Sequence, residues 1–561
     1  MSAGKHHSGA RRLRSGAIAG ARRLRSAAIA AAGIAPWLLA AILAVAWLIF
    51  APDTPDLAAQ VYRAGLFERE GFTLFNANWY GGHHTPAYSI LFPPLGALLG
   101  VRVVGVLAAV ASAALFERIA RHHFGAGAAR WGALWFGAGT VADLLIGRLT
   151  FAVGVAVGLA AVLALQRGHR PVALGLAVAC TLTSPVAGLF LALAGVAHWL
   201  AARERVGLGL AAAATTPAIV LTALFPEDGS QPYPPGTLLA IVGCCALLAW
   251  LAPASERGLR TGTLVYLASA LAAFAVASPM GANASRLGVA FAGPLALCAA
   301  VAAGASQRRR RAVLAAAVPL LAWQWWAPVR ETLKGVGDPS SDVAYFEPLL
   351  SFLDSRAGTT VRVEVPFTRL HWESVHVARG TPLARGWVTQ LDRRYNPLFR
   401  SREPLTPARY RSWLRREGVA YVALPDVPLD PSGQGEARLI RQGLPYLRPV
   451  RRDRHWRIFA VAGSPGLADG VGRLTKTGPQ SFALQVARPG FTLVRIRFTP
   501  YWRVARGHAC VMPGRGGWTL VYSLRAGAVK IDATFAAHDL VDRDGGCERM
   551  PERTRGDHEI R

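Results

Sequence analysis

Two carboxylates, Asp53 and Asp56, stand immediately after the first long apolar run, in the order Ala51, Pro52, Asp53, Thr54, Pro55, Asp56. Placed there they lie close to a bilayer and still reach water, so either can take a proton from an attacking hydroxyl. Further along the same loop come Trp79, Tyr80, His83 and His84, side chains that can face an acceptor or, together with a carboxylate, hold a divalent cation such as Mg or Mn. Adjacent histidines point in different directions, so one of the two at most faces such a site. The competing reading of the aspartates is structural: Asp is a preferred helix cap, and an amphipathic stretch, Leu57 to Glu68, comes directly after them. Three arginines stand apart from the other basic residues: Arg102, Arg148 and Arg286. A guanidinium fixed at a membrane boundary makes paired, charge-assisted bonds to a phosphate, although a long basic side chain there can also reach for headgroups. Asp143 falls inside an apolar run, where an ionisable group is a functional candidate or else a buried partner of Arg148.

The elements that must position these groups are membrane helices. Of 561 residues, 52% are hydrophobic and 17% charged, too apolar for one water-soluble globule, and the excess is confined to the part before about residue 328. A formal charge of +29 would suit nucleic acid in a soluble protein. Here most basic residues of the first half sit in short connectors between apolar runs, which is the mark of the cytoplasmic side, and nucleic acid is not expected as a partner. A repeated segment, Gly9 to Ser15 and Gly20 to Ser26, places six arginines before the first span at 27–50, so the amino terminus is expected inside and Ala51 outside.

Further spans are expected at 102–117, 127–146, 150–166, 172–185, 186–201, 207–225, 236–252, 262–278, 287–305 and 312–328, about eleven in all. Charge parity decides the one ambiguous stretch, 172–201. Broken at Ser184 and Pro185 into two spans, it keeps Arg118, Arg121, Arg167, Arg170, Arg203, Arg205, Arg257, Arg260 and the run Arg308 to Arg311 all inside.

From residue 340 the composition becomes mixed. Residues 340–464 alternate strand-like and helix-like patterns, with strands at Thr360 to Phe367, Ala420 to Leu424 and Trp456 to Val461 and a Thr406-capped helix to Glu417. Over 465–540 the period becomes two, at Ser481 to Val486, Thr492 to Phe498, Thr519 to Ser523 and Ala528 to Ala533, as in a small β-sandwich. The expected fold is therefore a polytopic α-helical membrane bundle (27–328, with an outer loop 51–101) carrying an extracytoplasmic α/β domain and a β-sandwich-like domain. It is flanked by a basic cytoplasmic segment 1–26 and a charged tail 541–561 expected to be disordered. Four of the six cysteines lie in apolar runs; Cys510 and Cys547 do not, and an outer location would let them pair. Trp372, Trp387, Trp413, Trp456, Trp502 and Trp518 can either stack on sugar rings or fill the cores of the outer domains.

Asp53 and Asp56 after the first span, Tyr62 and Arg63 one helical stretch later, and the element Phe92, Pro93, Pro94, Leu95 together resemble the GT-C superfamily of membrane glycosyltransferases. That superfamily includes protein O-mannosyltransferases, the aminoarabinose transferase of lipid A and arabinofuranosyltransferases of actinobacterial walls. The resemblance implies a multi-pass plasma-membrane protein that moves a hexosyl or pentosyl unit from a polyprenyl-phosphate sugar to a cell-envelope glycan on the outer face. It assigns Asp56 or Asp53 as base and outer-boundary arginines as phosphate ligands. Phe92 departs from the pattern, since relatives often carry Lys or His before Pro-Pro-Leu. Two other classes compete: a transporter or flippase of lipid-linked sugars, which would need interior charges and internal repeats, and a non-catalytic wall-polymer assembly protein.

Overall fold

The computed structural model describes residues 33–535 except 255, 305–306, 357–359 and 402. The basic segment 1–26, Cys547 and the tail 541–561 lie outside the described residues, so the expectations placed on them remain expectations; Cys510 is a buried free thiol.

Each expected apolar run contains a helix among the described residues. In chain order α1 (Pro36–Phe50) is followed by α2 (Pro55–Glu70), a short hairpin β1 (Phe75–Asn76) and β2 (His83–His84), and α3 (Phe92–Leu99). The bundle continues through α4 (Val101–Phe124), α5 (Ala126–Ile146), α6 (Leu149–Gln166), α7 (Arg170–Thr183), α8 (Pro185–Ala202) and α9 (Arg205–Leu224). It closes with α10 (Pro235–Leu251), α11 (Arg257–Ala275), α12 (Ser285–Ala302) and α13 (Gln307–Gly335). Among the described residues seven helices are long and apolar enough to cross a membrane, or up to eight if the bent pair α1 and α2 forms one span. Helices α7 and α10 are apolar but shorter, and α5, less apolar, packs among α1, α4, α12 and α13.

Proline punctuates the bundle. It stands in the first turn of α1, α2, α7, α8 and α10, where its missing N–H costs nothing. At the doubtful break, Ser184 caps α8 by accepting the Ala187 N–H, so 172–201 is two helices. The carbonyl of Leu182 beside that break accepts the N–H groups of Ile90 (2.8 Å) and Leu91 (3.2 Å), which puts the break at the same end of the bundle as the first loop. The connectors at 146–148, 225–234 and 276–284 gather there too, against the first loop and the domains beyond α13. The paired arginines flanking the other connectors therefore occupy the opposite end.

After α13 come α14 (Val343–Asp354), β3 (Arg362–Glu364), α15 (Glu373–His376), α16 (Thr389–Tyr395), α17 (Pro407–Glu417), β4 (Val419–Pro425), α18 (Pro431–Gln442), β5 (Leu447–Arg452) and β6 (Trp456–Val461). Their sheet has the order β3-β4-β6-β5, with β3 parallel to β4 and the rest antiparallel. Thr406 caps α17 as its sequence implies.

The last part is β7 (Ala468–Gly470), β8 (Gly472–Gly478), β9 (Ser481–Val486), β10 (Gly490–Arg497), β11 (Trp502–Arg506), β12 (Ala509–Pro513), β13 (Trp518–Ser523) and β14 (Gly527–Ala533). They form two antiparallel sheets, β12-β13-β10-β7 and β11-β14-β9-β8, around Phe482, Leu484, Val494, Val521 and Ile531. Of the six tryptophans of this half, five are buried core residues; Trp387, the half-buried exception, stacks on His371 at 3.4 Å. A tryptophan-lined sugar platform is thus reduced to one ring.

Small residues let membrane helices approach closely. A Cβ on Gly207 of α9 would fall 2.6 Å from the Gly195 carbonyl oxygen of α8, whereas one on Gly209 would meet nothing nearer than 3.6 Å. Gly207→Leu is expected to lower stability in detergent by roughly 1–3 kcal/mol through overpacking. Gly209→Leu should leave the thermal midpoint unchanged, so equal midpoints for the two variants would contradict this packing.

Candidate active site

The first loop begins with an elbow. α1 ends at Ala51, which takes a left-handed conformation (φ 42°), and the chain turns by 82° into α2. Arg102, at the start of α4, holds that elbow: it donates to Ala51 O at 3.0 Å, to Pro52 O at 3.4 Å and to Asp53 Oδ1 at 2.7 Å. Its guanidinium also lies 5.4 Å from the Trp47 ring centre. Three of the five N–H donors of Arg102 and one oxygen of Asp53 are thereby committed to the loop itself.

Asp56 sits differently. Thr54 is the N-cap of α2, its side chain bonding Ile146 O at 3.0 Å, and no side chain caps the helix. Asp56 stands in the first turn, where a carboxylate is favoured by the helix dipole, and neither aspartate is the cap that the structural reading required. The turn between α5 and α6 packs onto this start: a Cβ on Gly147 (φ +87°) would lie 2.4 Å from the Leu57 nitrogen, so only glycine fits. That close approach delivers Arg148, the N-cap residue of α6, to Asp56, with Nε 3.4 Å from Oδ2 and both side chains about a third exposed (30% and 38%).

Arg286, in the first turn of α12, lies over Phe151 (5.2 Å) and interacts electrostatically with Arg148, Asp56 and Asp143; its Nε has no hydrogen-bond partner among the described residues. Asp143 faces the same cluster, within reach of both arginines and Asp56, while its backbone carbonyl accepts the Arg148 N–H at 2.8 Å. A cation at a helix N-terminus opposes the dipole, and the two such arginines, on α6 and α12, are offset here by Asp56 and Asp143.

Behind Asp56 a polar chain runs from buried Thr150 and Gln60 out to exposed Tyr88: Thr150 Oγ1 donates to Gln60 Oε1 (2.5 Å), Gln60 Nε2 donates to the Tyr88 hydroxyl (2.9 Å), and Arg63 lies over the Tyr88 ring (3.6 Å). Gln60, Thr150 and Phe151 carry no local pattern that singles them out in the sequence. Phe92, at the departure from the Lys or His pattern, is fully buried at the start of α3.

Trp79 and Tyr80 face protein. Both are fully buried: Trp79 stacks on Tyr62 (4.2 Å) and donates to Ser374 O (3.0 Å), and the Tyr80 hydroxyl accepts the Val388 N–H (2.9 Å) beside the Gly386 carbonyl. They dock the α/β domain onto the loop, and an acceptor cannot reach them. His84 shares Nε2 with Thr499 Oγ1 at 3.0 Å and donates its backbone N–H to Glu227 Oε1, which also lies 3.1 Å from the ring Nδ1. Among the described residues no three His, Cys, Asp or Glu side chains converge as a metal set.

His83 is buried next to Trp79, with Nδ1 unpartnered. Burial pushes its pKa down to about 4, with Arg63 and His84 acting the same way and Glu227 opposing them. The unfolded chain takes up this proton near the ordinary histidine value while the folded chain refuses it. The contribution to stability is therefore intact above pH 6.5 and lost as pH falls toward about 4, by at most roughly 3 kcal/mol. His83→Gln is expected to flatten the acid limb of thermal stability across that window; an unchanged limb would show that His83 is not held neutral.

No protein-family model and no curated protein matches the chain. Solved structures similar to it include the arabinofuranosyltransferase AftD from mycobacteria, at 16% identity and TM-score 0.44, covering 82% of this chain and 41% of that one. A mutant form of AftD gives 15% identity and TM-score 0.42, covering 89% and 60%. ArnT from Cupriavidus metallidurans, solved bound to undecaprenyl phosphate, gives 16% and 0.42, covering 76% and 98%. This chain thus spans less than half the length of the first AftD structure.

Proposed function

We propose that this protein is a membrane glycosyltransferase that moves a sugar from a polyprenyl-phosphate donor to an envelope glycan on the outer face of the plasma membrane, with inversion. The observation that carries this reading is the cluster of Asp56, Arg148 and Arg286 at the bundle end that bears the α/β and sandwich domains. A carboxylate open to water beside two guanidiniums is what such a transfer needs.

Asp56 is the base. Its contact with Arg148 is single and long, whereas Asp53 is held at 2.7 Å by the elbow clamp. The acceptor hydroxyl gives its proton to Asp56, its oxygen bonds to the anomeric carbon, and the bond from that carbon to the phosphate oxygen breaks. The electron pair leaves on the lipid phosphate, whose extra negative charge is met by Arg148 and by the unpartnered edge of Arg286. Arg102 serves the loop instead. Asp143, in electrostatic reach of both arginines, offsets part of their mutual repulsion. The amino terminus is then cytoplasmic and the domains extracytoplasmic, with the arginine-flanked connectors inside.

Asp56→Asn keeps the shape and removes the base, and should lower turnover from a polyprenyl-phosphate pentose or hexose by about 10²–10⁴-fold. Asp53→Asn should act mainly through stability. Arg148→Gln and Arg286→Gln should each cost about 10–100-fold in kcat/KM. Unchanged turnover in Asp56→Asn would sink the assignment.

A further inference from the structure

A cavity of about 740 Å3 opens where the connectors after α9 and α11 meet the α/β domain, away from the tight packing around Trp79. Its volume falls in the range of small-ligand sites, roughly 300–1,000 Å3. The walls are built rather than incidental. Gly229 (φ +136°) brings its backbone so close to α16 that a Cβ would lie 2.5 Å from the Gln390 carbonyl oxygen. The two connectors are stitched together by Gln231 N–H to Ser278 O and Ala282 N–H to Pro232 O, both 3.0 Å.

The domain wall is equally fixed. Asp392, fully buried, takes both Arg385 (2.9 Å twice) and Arg400 (2.9 Å), and Arg385 is sandwiched over Phe367 (3.7 Å) and Phe399 (4.2 Å). Burial alone would raise the Asp392 carboxyl, but the two guanidiniums hold it below its ordinary value and therefore charged.

Donors and acceptors face each other across this space. On the domain wall Arg393 makes no ion pair or hydrogen bond among the described residues, Ser401 adds a hydroxyl whose oxygen accepts the Glu403 N–H, and Arg400 keeps a buried Nη2 without a partner behind them. On the connector wall Glu227 keeps Oε2 unpartnered after giving Oε1 to His84, and Asp228 meets Arg394 at 3.1 Å on the rim. A polyanion would be opposed by Glu227 and Asp228, and a lipid tail would strand five charges. A neutral ligand dense in hydroxyls, each both donor and acceptor, matches both walls.

We propose that this cavity binds a neutral oligosaccharide, and, resting on the transferase reading, that this is the part of the acceptor glycan remote from the reacting hydroxyl. The full-length protein in detergent would be applied to an array of neutral pentose and hexose oligosaccharides alongside uronic and sulfated ones. The tightest neutral binder would then be titrated by calorimetry.

Neutral oligosaccharides are expected to bind, and Arg393→Ala to weaken them by at least about tenfold with an unchanged thermal midpoint. Ser401→Trp, which fills the cavity from the same wall, should abolish binding and serves if Arg393→Ala fails to fold. Binding of acidic oligosaccharides alone, no binding of neutral ones, or neutral binding indifferent to both substitutions would overturn the site. Asp56→Asn should bind the glycan like the parent protein, so loss of the transferase reading and loss of this site are separate results.

Discussion

The guanidinium of Arg102 satisfies the carbonyls of Ala51 and Pro52 and the carboxylate of Asp53 at the point where α1 ends and the chain turns by 82°. The last carbonyls of a membrane helix have no intrahelical partner, and leaving them bare in a poorly hydrated place is costly. A cation at a helix C-terminus is also favoured by the dipole. This contact allows a non-glycine residue to hold a left-handed elbow, and the elbow sets the direction of α2. Asp56, Gln60 and Arg63 then fall where α5, α6 and the loop around Tyr88 can meet them. Two aspartates three residues apart thereby acquire unlike tasks: one is tied to the backbone turn, the other presented.

The same loop joins the bundle to the α/β domain. Leu57, Tyr62, Trp79, Leu144 and Leu149 share one continuous core with Phe346, Val363, Trp456 and Ile458 of that domain. With Trp79 and Tyr80 donating into the 374–388 stretch, the domain is seated on the loop by apolar burial and by hydrogen bonds that exclude water. The Gly335 end of α13 meets the Asp53 carbonyl, closing the circuit. Motion between bundle and domain would have to break this core, which makes the seam a poor hinge and a good reference frame for reacting groups.

Periodic features were legible. The apolar runs, the strand Trp456–Val461 with its exact bounds, Ser481–Val486, and the Thr406 cap follow from local pattern alone. Parity reasoning placed the break at Ser184, and its contact with Ile90 and Leu91 agrees. α18 has no clear signature even though Asp430 caps it and Pro431 opens it, because Gly433 and Gly435 dilute its helical signal. The partners of the aspartates were illegible in a stronger sense. Arg102 meets Asp53 across 49 residues and Arg148 meets Asp56 across 92, and no local rule selects one arginine among so many. Trp79 and Tyr80 misled for a related reason: amphipathic aromatics look alike whether they receive a ligand or a domain.

Phe75 and Ala77 of the first loop belong to the core of the β-sandwich, Phe75 meeting Trp502 at 5.2 Å and Ala77 N–H bonding Pro479 O at 2.7 Å. The sandwich is therefore completed by a segment made some four hundred residues earlier in synthesis. That segment cannot be covered until the last strands have been translated. A ribosome that stalls before them leaves a chain whose helices are inserted but whose aspartate loop has not been clasped from above. A chain lacking the carboxyl-terminal strands therefore leaves Phe75 and Ala77 without the core they belong to.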